Sequence, residues 1–471
     1  MSAVSSSKPD GGYKAGTVIP IQVTFSETVS VGGAPTLTLE TGAVDRSAIY
    51  FSGSGTSSLT FNYTVQAGDS SLDLDYVSTS SLVLNSGSIR DGALNNAELE
   101  LPASGASGSL GLNKNLVIDT ESPVVVSVTS NKLNGAYRAG EVISVQVRFS
   151  KSVSVAGTPI LKLETGTQDR DVNYASGSGS NELSFDYTVQ AGDTSLDLDY
   201  ESITALSLNG GTIQDSVTND AVLTLVTPGS AGSLGFAKAL IIDTIVPTAP
   251  GSVLDGTWTN SSANAPAASW SASTDVTSGV HHYEYAIGTS STNVSLLDWT
   301  DVGLVLAHAR SGLNLTQGTL YYVRIRAVDA AGNISADTVG DGFRLDNTVP
   351  NAITSVDDGL TSRFTTQSTK ITWSPTTDNL SGILRYEVAL GSFPGGDDIF
   401  GWQDTTVALN GGGVITGLSL VEGSRYYASV RAVDGALNFG VPKQADGWLI
   451  GWIQQAYGKG TSTATQNLFG S

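Results

Sequence analysis

Apolar and polar positions alternate through much of the chain. Ile19, Ile21, Val23 and Phe25 take turns with Pro20, Gln22 and Thr24, and Leu59, Phe61, Tyr63 and Val65 take turns with Thr60, Asn62 and Thr64. The same period of two returns at Tyr321, Val323, Ile325 and Ala327, and at Tyr426, Ala428, Val430 and Ala432. A period of two turns one set of side chains to a core and the other to water, so these stretches predict strands with a single buried face. Clusters such as "SGSGTSS" (52–58) separate them as turns.

The pattern is duplicated. "YKAGTVIPIQVTFSETVSV" at 13–31 returns as "YRAGEVISVQVRFSKSVSV" at 137–155, an offset of 124 residues. "YTVQAGDSSLDLDY" (63–76) and "YTVQAGDTSLDLDY" (187–200) keep that offset, so the first half is one module present twice without insertion or deletion. The second half repeats differently. "WSASTDVTSGVHHYEYAIG" (270–288) matches "WSPTTDNLSGILRYEVALG" (373–391), and "YYVRIRAVDAAGN" (321–333) matches "YYASVRAVDGALN" (426–438). The two offsets there, 103 and 105, differ by a short loop insertion.

Three pentapeptides divide the chain: "DTESP" (119–123), "DTIVP" (243–247) and "DNTVP" (346–350). Each follows an apolar run. The Pro stops the outgoing strand and restricts the residue before it, which predicts short, stiff joints between modules. The expected division is an extension at 1–9, modules at 10–122, 123–246, 247–349 and 350–450, and a tail or truncated segment at 451–471. Around seven short strands in about 110 residues predict a two-sheet sandwich for each module. The fold class is all-β, with four tandem Ig-like or fibronectin III-like sandwiches in an elongated array.

Composition agrees and narrows the chemistry. Gly reaches 54 of 471 residues, and Lys plus Arg number only 23. The formal charge of −21 repels phosphates, which argues against nucleic acid as a partner. Acidity serves solubility, and it also supplies carboxylates for hard divalent cations. With no Cys, thiol nucleophiles and Cys-ligated metals are excluded. No apolar run has the length of a membrane span, so direct membrane insertion is not expected. The N-terminus lacks the charged and apolar regions of a secretory signal, and a fragment whose signal lies outside the chain is the favoured explanation.

In the late modules Trp270 and Trp373 precede Tyr-containing strands, and "LTQGTLYYVRIRA" (315–327) and "LVEGSRYYASVRA" (420–432) place a Leu six residues before a Tyr. This resembles fibronectin type III domains. The resemblance implies that Tyr321 and Tyr426 form tyrosine corners and that the two Trp anchor cores. Gln317 and Glu422 stand where that family usually has Pro. The first two modules resemble bacterial Ig-like repeats found in tandem in large secreted or surface proteins of Gram-negative bacteria, through "YKAGTVIPIQVTFSETV", "TLETG", "YTVQAGD" and the closing "IDT..P". Together the resemblances span nearly the whole chain and imply beads on a string in an adhesin, fibre or exoprotein stalk.

The residues that could carry chemistry are mostly acids. Asp119, Asp243 and Asp346 sit at the joints, where two readings stand: calcium ligands that stiffen the string, or caps on their own turns. Asp275, Asp329 and Asn333, with Asp378, Asp434 and Asn438 as counterparts, are expected to converge at one end of each late sandwich, again as calcium ligands or as turn formers. Neither the EF-hand spacing nor the RTX nonapeptide occurs. In "SLDLDY" (71–76 and 195–200), Asp73 with Asp75, and Asp197 with Asp199, read as a solvated polar face in preference to a cation pair.

Catalysis finds no support. The three His are His281, His282 and His308, the first two on opposite sides of a predicted strand, and no nucleophile elbow, zinc helix or phosphate loop is present. Trp452 and Tyr457 in the tail are either a ligand-stacking surface or packing residues. The favoured reading is a non-enzymatic adhesive stalk at a bacterial surface or outside the cell, presenting a binding region to a cell-surface glycan or protein. A homo-oligomeric fibre could form through strand edges. The alternative is an accessory glycan- or protein-binding array of a larger secreted enzyme, which predicts an exposed aromatic platform.

Overall fold

The computed structural model describes residues 1–363, 366–404 and 411–451. Among them, buried apolar side chains gather into four cores, spanning 4–118, 128–242, 253–345 and 353–450. The chain is an all-β array of tandem sandwiches. It forms two units: Met1–Ile245 with Val276–Ser278 and Ala330–Asn333, and the remainder from Val246 onward.

In the first unit, the strand Val18–Gly32 pairs antiparallel with Thr56–Thr64, and Ile21 faces Phe61. Ile19, Ile21 and Val23 are fully buried, as the alternation predicts. The twin strands Val142–Ala156 and Ser180–Thr188 repeat this register, with Val145 facing Phe185. The turn glycines have a steric reason. A Cβ on Gly53, at φ +106°, would lie 2.2 Å from the Ser58 carbonyl, and one on Gly177 would lie 2.1 Å from that of Glu182.

Each of these modules closes on a strand that returns parallel to its second one. Leu116–Asp119 lies beside Gly11–Tyr13, and Leu240–Asp243 beside Gly135–Tyr137. The joint's second residue then locks onto the "QAGD" turn. Thr120 Oγ1 donates to the Asp69 carbonyl (2.8 Å) and accepts from the Gly68 amide (3.0 Å); Thr244 makes the same bonds to Asp193 and Gly192.

In the second unit, Val280–Gly288 and Leu320–Asp329 form the centre of one sheet, and Ile383–Gly391 with Arg425–Asp434 repeat it. The closing strands Phe343–Leu345 and Trp448–Ile450 again run parallel to short early strands, Trp258–Thr259 and Ser362–Arg363. Trp270 packs edge-on against Tyr283 at 5.7 Å, and Trp373 packs at a tilt against Tyr386 at 5.4 Å. Both tyrosine corners form: the Tyr321 hydroxyl accepts from the Thr316 amide (2.8 Å), and that of Tyr426 from Val421 (2.9 Å). Tyr426→Phe leaves that amide without its acceptor and is expected to cost about 1 kcal/mol. Differential scanning calorimetry would register it as a drop of roughly 5 °C in one module's transition.

Three expectations are corrected. Residues 1–9 are not a mere extension: Ala3–Ser6 pairs with Val18–Gly32, and Val4 is fully buried. In "SLDLDY" the second acid is not on a solvated face. Asp75 is buried and accepts from Ser104 Oγ (2.9 Å) and the Gly105 amide (3.0 Å), because the loop after residue 101 folds over it. Asp199 is its buried twin. His281 and His282 do not face opposite ways, since a register shift after Val280 brings their Nδ1 atoms to 2.9 Å.

Candidate metal centre

The third joint assembles three carboxylates. Asp346 leaves the closing strand of the third module, Asp378 lies in the loop after Trp373, and Asp434 ends the strand Arg425–Asp434. One oxygen from each lies within 4.8 Å of the other two. Asp346 and Asp434 are fully buried, and Asp378 is half-buried.

Local hydrogen bonds hold each acid in place. Asp346 Oδ1 accepts from Thr348 Oγ1 (2.7 Å), the Thr348 amide (3.1 Å) and Gln317 Nε2 (3.1 Å), so Gln317 braces the joint. Asp346 Oδ2 accepts from the Ser381 amide (3.1 Å). Asp378 Oδ2 receives the amides of Leu380, Ser381 and Gly382. Asp434 Oδ1 takes those of Ala436 (2.9 Å) and Asn438 (2.8 Å), while its Oδ2 takes Asn438 Nδ2 (2.8 Å). The same Nδ2 donates to the Asp346 carbonyl (2.8 Å), clasping the fourth module onto the strand that leaves the third.

Electrostatics divides the acids. Burial works against the Asp346 carboxylate, but hydrogen bonds from Thr348 and Ser381 prevail and hold its pKa below the ordinary range. Asp434 is pushed up, first by burial and then by the charges of Asp346 and Asp378. At these separations each like-charge pair costs about 3 kcal/mol at an effective dielectric of roughly 20. An all-oxygen, triply anionic set of this kind matches the ligand preference of calcium.

The other predicted residues fall differently. Asp243, Asp275, Asp329 and Asn333 repeat the residue types of the third-joint set at offsets of 103 and 105. Asp243 Oδ1 accepts from the Ile245 amide (3.0 Å), its Oδ2 accepts from Ser278, and its carbonyl receives Asn333 Nδ2 (2.9 Å). Asp275 accepts from the Gly279 amide (2.9 Å), and Asp329 is buried. Among the described residues Asp119 belongs to no group of three close carboxylates, and Lys151 Nζ lies 2.9 Å from both its oxygens. Trp452 and Tyr457 lie outside the described residues.

Sequence reasoning missed Lys151, Asp215 and Asn219. The signal for the last two was an Asp followed four residues later by Asn, which occurs at 91/95, 169/173, 215/219, 329/333 and 434/438. The expected aromatic platform is occupied in part. Trp299 and Trp402, at matching places in the late modules, each carry a guanidinium on one ring face, from Arg326 (4.1 Å) and Arg431 (4.4 Å).

Among curated proteins, Exoglucanase B of Cellulomonas fimi is 32% identical over 212 residues, which is 43% of this chain and 16% of that protein. Chitinase A1 of Niallia circulans is 29% identical over 211 residues, 43% of this chain and 26% of that protein. The chain thus spans about a quarter or less of the relatives' lengths. No family model matches. Among solved structures, the FN1–FN3 domains of chicken CNTN1 cover 70% of this chain and 99% of their own, at 12% identity and a TM-score of 0.32. None of the helices among the described residues is long and apolar enough to cross a membrane.

Proposed function

We propose that the chain is a non-catalytic accessory array of a larger secreted protein that acts on polysaccharide, with modules that space its working parts. The observation that carries this reading is the similarity over a two-module length to small shares of an exoglucanase and a chitinase. It favours the accessory-array alternative over the adhesive stalk, for which these relatives offer no counterpart. Arginine-covered Trp299 and Trp402 favour spacing over glycan capture. The same similarity supports an extracellular location.

Purified chain incubated with swollen cellulose or colloidal chitin is expected to release no reducing sugar. Hydrolysis above the buffer control would overturn the assignment. Within the array, the Asp346–Asp378–Asp434 centre would hold calcium and stiffen the joint between the last two modules. Asn438 would orient the strand end, and Gln317, Thr348 and Ser381 would orient the carboxylates. Calorimetric titration of the chelator-stripped chain tests this, and absence of heat with calcium would count against it.

A further inference from the structure

The first joint, like the third, gathers oxygens from two modules, but around a lysine. At both joints an Asn of the following module donates to the carbonyl of the closing Asp: Asn219 to Asp119 (3.0 Å), as Asn438 does to Asp346. At both, an Asp four residues before that Asn stands alongside. Where the third joint adds a third carboxylate, the first adds an ammonium. Lys151 Nζ lies 2.9 Å from each Asp119 oxygen, 2.7 Å from the Glu121 carbonyl and 3.5 Å from Asp215 Oδ2. Four oxygens from two modules surround one positive charge.

The duplicated module shows that this lysine is not needed to build its own loop. At the corresponding position the first module has Glu27, yet its 91–95 loop makes the same internal bonds. Asp91 accepts from the Ala93 and Asn95 amides and from Asn95 Nδ2, each at 2.8 Å. Asp215 accepts from Val217, Asn219 and Asn219 Nδ2 in the same way. What Lys151 adds is contact with Asp119 and Glu121, the segment arriving from the preceding module. We propose that Lys151 stands in for a divalent cation and makes the first joint a chelator-insensitive lock. A charge-assisted set of this kind holds at any calcium concentration, whereas a carboxylate-only joint depends on the ion.

Hydrogen exchange on the full chain tests this inference independently of calcium at the third joint, because peptides 119–125 and 378–382 are read in one experiment. In wild type the 119–125 peptide is expected to exchange equally in EDTA and in calcium. Lys151→Met should speed it roughly tenfold, the size of losing a charge-assisted bond, with the core peptide 180–188 unchanged. Lys151→Arg should keep the protection. Lys151→Glu should lose it in EDTA and regain it in calcium. Chelator sensitivity in wild type, no change in Lys151→Met, or failure of calcium to restore Lys151→Glu would each overturn the proposal.

Discussion

Replacing Asp69 with Ala is expected to destabilise the first module by about 3–5 kcal/mol, the usual cost of breaking a buried ion pair. The carboxylate is almost wholly buried and has three partners: Arg46 Nε (2.8 Å), the Tyr63 hydroxyl (2.7 Å) and the Gln66 amide (2.9 Å). Removing it strands a buried hydroxyl and a guanidinium, and it loosens the turn that grips Thr120 at the joint. The twin Asp193, with Arg170, Tyr187 and Gln190, predicts the same loss in the second module. The sign of the pH dependence follows from the shifts. Burial opposes the Asp69 carboxylate, but bonds from Tyr63, Gln66 and Arg46 outweigh it, so its folded pKa lies below the unfolded one. Its stabilisation is therefore present above about pH 4 and is lost as pH falls through the depressed value. Tyr63 is raised, by burial first and then by the Asp69 bond, so its share is present below about pH 10 and disappears only on the alkaline side. Urea titrations between pH 3 and 7, followed by exchange of peptide 56–64, should show an acid-labile first module in wild type. Asp69→Ala should be weak across that range, and a loss under 1 kcal/mol would contradict the assignment.

Much of this architecture was legible because its cause is local. Strict alternation at Ile19–Val23 and Tyr321–Ala327 reports which face is buried, and the fixed offset of 124 reports a second copy of the same core. The tyrosine corners were expected from the resemblance to fibronectin type III domains, and the Tyr321 and Tyr426 hydroxyls make the corner bonds. What escaped depends on contacts between distant segments. The strand Ala3–Ser6 carries one buried Val, too little for a periodic signal. Asp75 is satisfied by Ser104 and Gly105, nearly thirty residues away, so reading it as solvated assumed that no loop would cover it. Lys151 is instructive in a different way. It differs in charge from Glu27 within an otherwise closely matched stretch, and that reversal was the available clue that one joint had changed its chemistry. Its partner Asp119 lies 32 residues upstream, which a motif scan does not connect.

Calcium is expected to raise the melting temperature of the module pair at the third joint by roughly 10 °C once free ion exceeds its dissociation constant about a hundredfold, equivalent to about 2.7 kcal/mol. Without an ion, Asp434 bears the strain: its folded pKa is raised, so the apo site stabilises the protonated form and loses that contribution as pH rises through the raised value. If the proposed centre holds calcium, the ion competes with a proton at Asp434, so its affinity should fall as pH drops through the raised pKa, with proton release detectable in that range in buffers of different ionisation enthalpy. Asp434→Asn separates charge from shape. The amide oxygen can still accept from the Ala436 and Asn438 backbone amides; the bond from Asn438 Nδ2 to Oδ2 is lost, and so is the mutual repulsion with Asp346 and Asp378. The lost bond and the relieved repulsion oppose each other, so the variant should stay within about 1 kcal/mol of wild type in EDTA, yet gain little from calcium. A purely turn-capping Asp434 predicts the reverse: melting curves of wild type that coincide in EDTA and calcium, and a variant that is weaker in both.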